Sequence, residues 1–157
     1  MKHLNKYPII LASGSPRRKQ LLEQIDLEFE VVPSQIYEDF SLNLSPTDFV
    51  EYYAQEKAKD VANSYPDKWV IGADTIVVFE SHILGKPKNE KDSFQMLKRL
   101  SGNTHQVITG VSIQNIKQDI SDSFHERTNV TFNTLSDNII NYYIDTYNPF
   151  DKAGSYG

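Results

Sequence analysis

Apolar residues along the chain alternate between β-type runs and helical stripes, and this order predicts an α/β fold. Strands are predicted at residues 7–12, 28–32, 69–79, 104–116 and 123–132, the last two as a long antiparallel pair. Helices are predicted after Ser15, from Ser45 to Pro66, at residues 90–100 and after Ser136. This order favours a mixed, twisted sheet flanked by helices, splayed into two lobes around a cleft.

Three of the predicted helices carry apolar residues three and four positions apart, which gives each helix one face for a core. These faces are formed by Leu21, Leu22 and Ile25; by Val50, Ala54, Ala58, Val61, Ala62 and Tyr65; and by Phe94, Met96, Leu97 and Leu100.

The first predicted strand and helix meet in a loop of small residues, Ser13-Gly14-Ser15. Ser15 suits the N-cap and Pro16 the first helical position. A helix N-terminus has N–H groups without intrahelical partners and a partial positive charge, so it can bind phosphate. Arg17 and Arg18 lie in the first turn, where the dipole disfavours cations, and an anion between them would explain their place. The alternative is a solvated basic turn after an ordinary strand–helix loop.

Length and composition narrow the class of protein. The 157 residues suit one domain, and 39% apolar with 24% charged residues is typical of a globular protein. The formal net charge of −5 argues against a nucleic-acid or membrane surface, so an anion site must be a local positive pocket. The lack of cysteine excludes disulfides, thiol nucleophiles and thiolate metal sites. Without a signal-peptide pattern or a membrane-spanning apolar run, we expect a cytoplasmic protein.

Asp74 is the most informative of the polar residues that interrupt apolar segments. It lies within the predicted strand 69–79, close to Gly72, where a carboxylate without a partner would be costly to bury. A functional role is favoured over the alternative, a bulge or strand-end Asp whose side chain is satisfied by backbone N–H groups.

Lys57, Lys86, Thr75 and Glu38 are further candidates. Taken singly, Lys57 is an ordinary helix-surface lysine, Lys86 is a lysine at a hairpin exit, and Glu38 lies in an irregular loop. Together with the two arginines they suit phosphoryl chemistry, because cations neutralise phosphate oxygens and a carboxylate binds a divalent metal or activates water.

The histidines offer no metal-ligand spacing. His105, near the start of a predicted strand, is interpreted as structural, and His3, His82 and His125 are assigned to turns or termini. The sequence contains no P-loop, dinucleotide fingerprint, nucleophile elbow or HExxH motif. The residues alone therefore predict binding of a phosphorylated ligand and leave the reaction open.

Seven short motifs follow one another across nearly the whole chain. They are Ala12-Ser-Gly-Ser-Pro-Arg-Arg18, Glu56-Lys57-Ala58, Gly72-Ala-Asp-Thr75, Gly85-Lys86-Pro87, Leu100-Ser-Gly102 with His105, Thr109-Gly110-Val111 and Ala153-Gly-Ser-Tyr-Gly157. Each motif is weak alone, but together they resemble the Maf family of nucleoside triphosphate pyrophosphatases, named for inhibition of septum formation.

The resemblance implies a two-lobed fold related to the inosine triphosphatase-like enzymes, with the nucleotide in the cleft. It also implies a divalent metal ion, Mg²⁺ or Mn²⁺. The implied reaction is hydrolysis of a small-molecule nucleotide between its α and β phosphates, which yields a monophosphate and pyrophosphate. A homodimer is a further expectation of the resemblance.

The resemblance also implies roles for individual residues. Asp74 would accept the proton of the attacking water and contact the metal. Lys57 and Lys86 would complete the catalytic set by holding phosphates. Substrate binding would also involve Ser13 and Arg18, and Glu38 would help to position metal or water.

Arg17 and Thr75 match the positions that read the base. The family branch that acts on 7-methyl-GTP has Trp and Gln there, so this chain resembles the branch that acts on dTTP and UTP. An arginine can donate to a pyrimidine carbonyl, and a threonine beside it can donate or accept.

The sequence departs from the family pattern after Ala153–Gly157. In the family this segment is followed by Ile-Gln, whose Gln helps to select the base, and by further strand and helix; the sequence given ends at Gly157. We therefore expect a single Maf-like domain over residues 1–157 that lacks these C-terminal elements. Two other functions stay open: a nucleotide-binding regulator of cell division with little catalysis, and a 7-methyl-GTP pyrophosphatase.

Overall fold

The computed structural model describes residues 4–157, and in this part of the chain the strands form one mixed sheet. The strands are β1 (Ile9–Leu11), β2 (Glu30–Val31), β3 (Trp69–Phe79), β4 (His82–Leu84), β5 (Thr104–Asn115) and β6 (Ile120–Thr131). Their order in the sheet is β2-β1-β3-β5-β6, and β4 pairs with β3 outside that path. β1 is parallel to β2 and β3, whereas β4 is antiparallel to β3. The predicted mixed α/β fold is confirmed.

The helices are α1 (Pro16–Glu23), α2 (Pro46–Ala62), α3 (Glu90–Leu100) and α4 (Asp137–Tyr147). Ser45, Asn89 and Ser136 cap α2, α3 and α4 by accepting a backbone N–H of the first turn. Ser15 has the extended backbone of an N-cap, but its side chain makes no capping hydrogen bond. None of the helices within residues 4–157 has the length and apolar character needed to cross a membrane.

Several predicted boundaries need correction. The first strand is shorter than 7–12, the second is shorter than 28–32, and β6 begins at Ile120 rather than at Ser123. The predicted apolar face of the first helix is wrong, because α1 buries no residue and Leu21 and Ile25 are exposed. An eight-residue helix makes only about two turns, so Ile25 lies beyond its end and cannot share its face.

The chain divides into two compact units. The first comprises the chain up to Asp74 together with Thr109–His125, and the second comprises Thr75–Ile108 and Glu126–Gly157. The core of the first unit joins α2 to β1 and β3 through Ile10, Ala12, Ala58, Val61, Ala62 and Val70. The predicted stripe of α2 is therefore its buried face, with Tyr65 packed against this core just beyond the helix end.

Gly72 allows α2 to approach β3 closely. A Cβ at Gly72 would lie 2.4 Å from the Ala54 carbonyl oxygen and 2.6 Å from the Ala58 backbone nitrogen. Such distances leave no room for a side chain, so glycine lets the two backbones meet here. Lys57 lies in the same turn of α2, and this approach brings it within reach of β3.

The second unit has a core of its own. Val77, Leu84 and Leu100 form one buried cluster, and Leu97 packs with two isoleucines of α4 in another. Phe132 and Tyr156 pack against both clusters, so the segment that contains Tyr156 takes part in this core.

Candidate active site

Asp74 lies in the middle of β3 and is 3% exposed. The Nζ of Lys57 on α2 donates a hydrogen bond of 2.7 Å to Asp74 Oδ1, and it also donates to Glu38 Oε1. Asp74 Oδ2 is buried without a hydrogen-bond partner. The alternative for Asp74, a carboxylate satisfied by backbone N–H groups, does not describe this site, because the observed partner is a lysine.

The surroundings shift the pKa values of the Asp74 and Glu38 carboxyl groups in opposite directions. Burial raises the pKa of Asp74, the negative charge of Glu38 adds to the rise, and the charges of Lys57 and Arg18 oppose it. Burial also pushes the pKa of Glu38 upwards, but the hydrogen bond and charge of Lys57 outweigh it and hold this pKa below its usual value. The rise that burial causes at Asp74 favours proton uptake by this carboxylate, which suits a proton acceptor.

Arg18 connects the loop before α1 to β3 beside Asp74. Its Nη1 donates to Ser13 Oγ at 3.0 Å and to the Ala73 carbonyl oxygen at 2.8 Å. Burial lowers the pKa of Arg18, and the charges of Asp74 and Glu38 act against this. An arginine remains charged in a protein at any ordinary pH, so Arg18 contributes a partly buried cation next to the carboxylates.

The structure brings together five of the residues singled out in the sequence, all in the first unit: Ser13, Arg18, Glu38, Lys57 and Asp74. Arg17 is exposed in the first turn of α1.

Thr75 and Lys86 belong to the second unit. Thr75 follows Asp74 in β3 and is half-buried, and Lys86 is exposed after β4. The pKa of Asp151 is lowered chiefly by its hydrogen bond to Lys152, with a smaller contribution from the charge of Lys86. The roles of Arg17, Thr75 and Lys86 stay predictions.

The carboxylates of Asp74 and Glu38 are the candidate ligands for a divalent cation. Residues 4–157 contain no group of three or more His, Asp or Glu side chains arranged to hold a metal ion. Mg²⁺ needs fewer, because it is commonly bound through one or two carboxylates, waters and substrate phosphates. Asp74 Oδ2 is a buried oxygen without a partner, and Glu38 adds a second carboxylate, so the pair fits such an ion.

The three described histidines lie in strands: His82 in β4, His105 in β5 and His125 in β6. His105 is 2% exposed, and its Nε2 is 2.6 Å from the Tyr156 hydroxyl, which agrees with a structural role. The assignment of His82 and His125 to turns is wrong, because His82 begins β4 and His125 lies within β6, 2.5 Å from Glu51. His3 lies outside the described residues.

Sequence reasoning missed Tyr53, whose hydroxyl accepts the backbone N–H of Asp39 at 2.5 Å. This contact fixes the loop next to Glu38. Tyr53 precedes Lys57 by four positions, which places both side chains on one face of α2, and this spacing was the available signal.

Comparison with known proteins identifies the family of this chain. The model of the family described as "Maf-like protein" matches residues 8–157. Proteins named "dTTP/UTP pyrophosphatase" from Bacillus mycoides (strain KBAB4) and Bacillus cereus (strain ATCC 10987 / NRS 248) are 50% and 52% identical to this chain. The alignments cover 95% and 98% of this chain, and 77% and 74% of the two relatives.

A solved structure, the Staphylococcus aureus Ham1 protein, resembles this chain in fold. The TM-score is 0.53 at 19% identity, over 78% of this chain and 70% of that protein. At this identity the likeness concerns the fold alone. The family match covers nearly the whole chain and includes all the clustered residues, and the chain belongs to the Maf-like protein family.

Proposed function

We propose that this chain is a nucleoside triphosphate pyrophosphatase that hydrolyses dTTP and UTP to a monophosphate and pyrophosphate. The observation that carries the proposal is the buried Asp74, bonded by Lys57 through one oxygen and without a hydrogen-bond partner on the other. Relatives at 50–52% identity bear the name "dTTP/UTP pyrophosphatase", and this supports the choice of substrates.

In the proposed reaction, the Asp74 carboxylate accepts a proton from a water molecule. The water oxygen forms a bond to the α phosphorus, the bond from this phosphorus to the bridging oxygen breaks, and pyrophosphate leaves. The raised pKa of Asp74 makes it a better proton acceptor than an ordinary aspartate.

Lys57 holds the carboxylates of Asp74 and Glu38 in place and can also bind the substrate. Its ammonium group has three donors, of which these carboxylates use two, so the third can bind a phosphate oxygen. A positive charge that is already in position when the reaction starts stabilises the negative charge that develops on the leaving pyrophosphate.

The remaining binding roles follow from charge and position. Arg18 bonds to Ser13 and to the carbonyl oxygen of Ala73, the residue before Asp74, and we assign Arg18 and Ser13 to the phosphates. The resemblance assigns Lys86 to the phosphates as well, and Arg17 and Thr75 to the pyrimidine base.

A divalent cation, Mg²⁺ or Mn²⁺, would be held by Asp74 and Glu38 and would supply additional charge neutralisation to the phosphates. The homodimer and the cytoplasmic location stay predictions of the sequence.

The test is pyrophosphate release by this chain with Mg²⁺ or Mn²⁺ from dTTP, UTP, 7-methyl-GTP, ATP and ITP. We expect turnover of dTTP and UTP well above that of the other three nucleotides. Preferential turnover of 7-methyl-GTP would contradict dTTP and UTP as substrates and favour a 7-methyl-GTP pyrophosphatase. Nucleotide binding by folded protein without any pyrophosphate release would contradict the enzyme and favour the nucleotide-binding regulator.

A further inference from the structure

Three residues of helix α2, each about one turn after the last, contact the loop that carries Glu38. Phe49, Tyr53 and Lys57 are spaced four residues apart and form one face of the helix, which we call the α2 clamp. Each member contacts one residue of the segment 38–40, and the contacts run in the opposite chain direction. The helix therefore holds this segment along about two turns of its length.

The three contacts differ in chemistry. The rings of Phe49 and Phe40 are stacked, with centroids 5.1 Å apart and planes inclined by 25°. The Tyr53 hydroxyl accepts the backbone N–H of Asp39 at 2.5 Å. Only the third contact, from Lys57 to Glu38, joins the clamp to the charged site.

The loop depends on such contacts for its shape. No helix or strand is assigned between β2 and α2, so the regular hydrogen bonds of a helix or sheet do not fix the backbone at Glu38. Lys57 alone fixes only the end of the Glu38 side chain, whose rotatable bonds could still place the carboxylate in several ways. A backbone contact one residue away restricts the position of the Glu38 Cα as well.

Tyr53 is itself well placed to fix that backbone. It is 4% exposed, and its ring lies 4.7 Å from the ring of Phe49, which restricts where the hydroxyl can be. A hydroxyl held in this way is a fixed acceptor for the Asp39 N–H.

We propose that Tyr53 is a positioning residue, whose hydroxyl holds the Asp39 backbone and thereby fixes Glu38 against Lys57 beside Asp74. This role rests on the proposed pyrophosphatase function. Tyr53 touches no reacting atom, so it acts through the loop and affects the rate of the chemical step more than substrate binding.

Tyr53→Phe tests this role, because it removes the hydroxyl and keeps the ring. Tyr52→Phe is the matched control, since Tyr52 is the neighbouring residue, is 43% exposed and lies edge-on to Tyr53. For Tyr53→Phe we expect kcat to fall about fivefold, the usual scale of one lost hydrogen bond, with KM for dTTP unchanged. We also expect faster hydrogen exchange at the Asp39 amide, and no change of either kind in Tyr52→Phe.

The possible results separate the two proposals. An unchanged kcat in Tyr53→Phe would overturn the positioning role, and so would an equal loss in Tyr52→Phe. A fall in kcat together with a drop in Tm of more than about 4 °C would indicate general destabilisation instead and would also overturn it. If the unaltered chain releases no pyrophosphate from any nucleotide, the proposed function fails and the role of Tyr53 in catalysis fails with it.

Discussion

Both units bury neutral polar groups, but the first also buries charge, at Asp74 and its partner Lys57. In the first unit, Lys57 bonds to two carboxylates, and one of them is 3% exposed. In the second unit, His105 Nε2 bonds to the Tyr156 hydroxyl while its Nδ1 is buried without a hydrogen-bond partner, and the hydroxyls of Ser93 and Ser155 bond to each other.

The difference has a thermodynamic consequence. Moving a charge out of water is costly, and a buried ion pair regains that cost only with good geometry and additional hydrogen bonds. Neutral pairs avoid most of this cost and contribute modestly to folding. Asp74 combines a buried charge with an oxygen that has no hydrogen-bond partner, and a buried carboxylate of this kind is typical of a residue retained for chemistry.

The largest effect is expected from Asp74→Asn, which removes the charge and keeps the shape. We expect turnover of dTTP to fall about a thousandfold, the usual scale for losing a general base. The free energy of unfolding should stay within about 1 kcal/mol, because the costly buried charge disappears and Lys57 keeps Glu38 as a partner.

Steady-state kinetics and urea denaturation check this prediction, with Asp122→Asn as a control. Asp122 is an exposed carboxylate of β6 in the same unit. Near-normal turnover in Asp74→Asn would remove Asp74 from the mechanism, and the contrast between the units would then be one of packing alone.

The second prediction concerns the close approach that places Lys57. Gly72→Ala would put a methyl group 2.4 Å from the Ala54 carbonyl oxygen, so α2 must move away from β3. We expect a loss of about 2–3 kcal/mol in the free energy of unfolding, together with a lower kcat, since Lys57 moves with the helix. Gly14→Ala is the matched control, because its Cβ would meet only Pro33 at 3.8 Å. Equal stability of Gly72→Ala and Gly14→Ala would contradict this account of the helix–strand contact.

The smallest effect is expected from His105→Gln, which alters the neutral pair of His105 and Tyr156 in the second unit. Burial lowers the pKa of His105, so the folded chain resists protonation of this ring while the unfolded chain accepts a proton near pH 6.5. The stability due to neutral His105 is therefore present above pH 6.5 and is lost as the pH falls below it, by at most about 1.4 kcal/mol per pH unit. In His105→Gln this part of the pH dependence should vanish.

Urea denaturation of both proteins between pH 8 and pH 5 measures the difference, and the other histidines cancel in the comparison. His105→Gln should lower the overall stability, because the ring packs edge-on against Phe132 and Tyr156. It should leave kcat per folded molecule unchanged at pH 8. Identical pH dependence in the two proteins would mean that His105 titrates normally in the folded state.

The local pattern of the sequence determined most of the elements. The apolar run of β3 and the capped, periodic segments of α2 and α3 were predicted with the bounds observed or nearly so, because these signals lie within one element. The first helix shows the limit of this reasoning. The pattern predicts a buried face for its apolar residues, but none of them is buried, and Leu21 and Ile25 are exposed.

The sequence also marked Asp74 as unusual, since a carboxylate in an apolar strand is costly wherever the strand packs. It did not identify the partners of Asp74. Lys57 is 17 residues away along the chain, and Arg18 reaches Ala73 across 55 residues. Singly, Lys57 and Glu38 were unremarkable, and Tyr53 was overlooked.

The tertiary structure alone decided which of these residues meet. Periodicity reports which face of an element is apolar, but it contains no information on how closely two elements approach or which loop crosses them. Here the contact of α2 with β3 at Gly72 brings Lys57 to Asp74, and the loop held along α2 brings Glu38 to Lys57. Two residues that looked ordinary in the sequence thereby become part of one charged site.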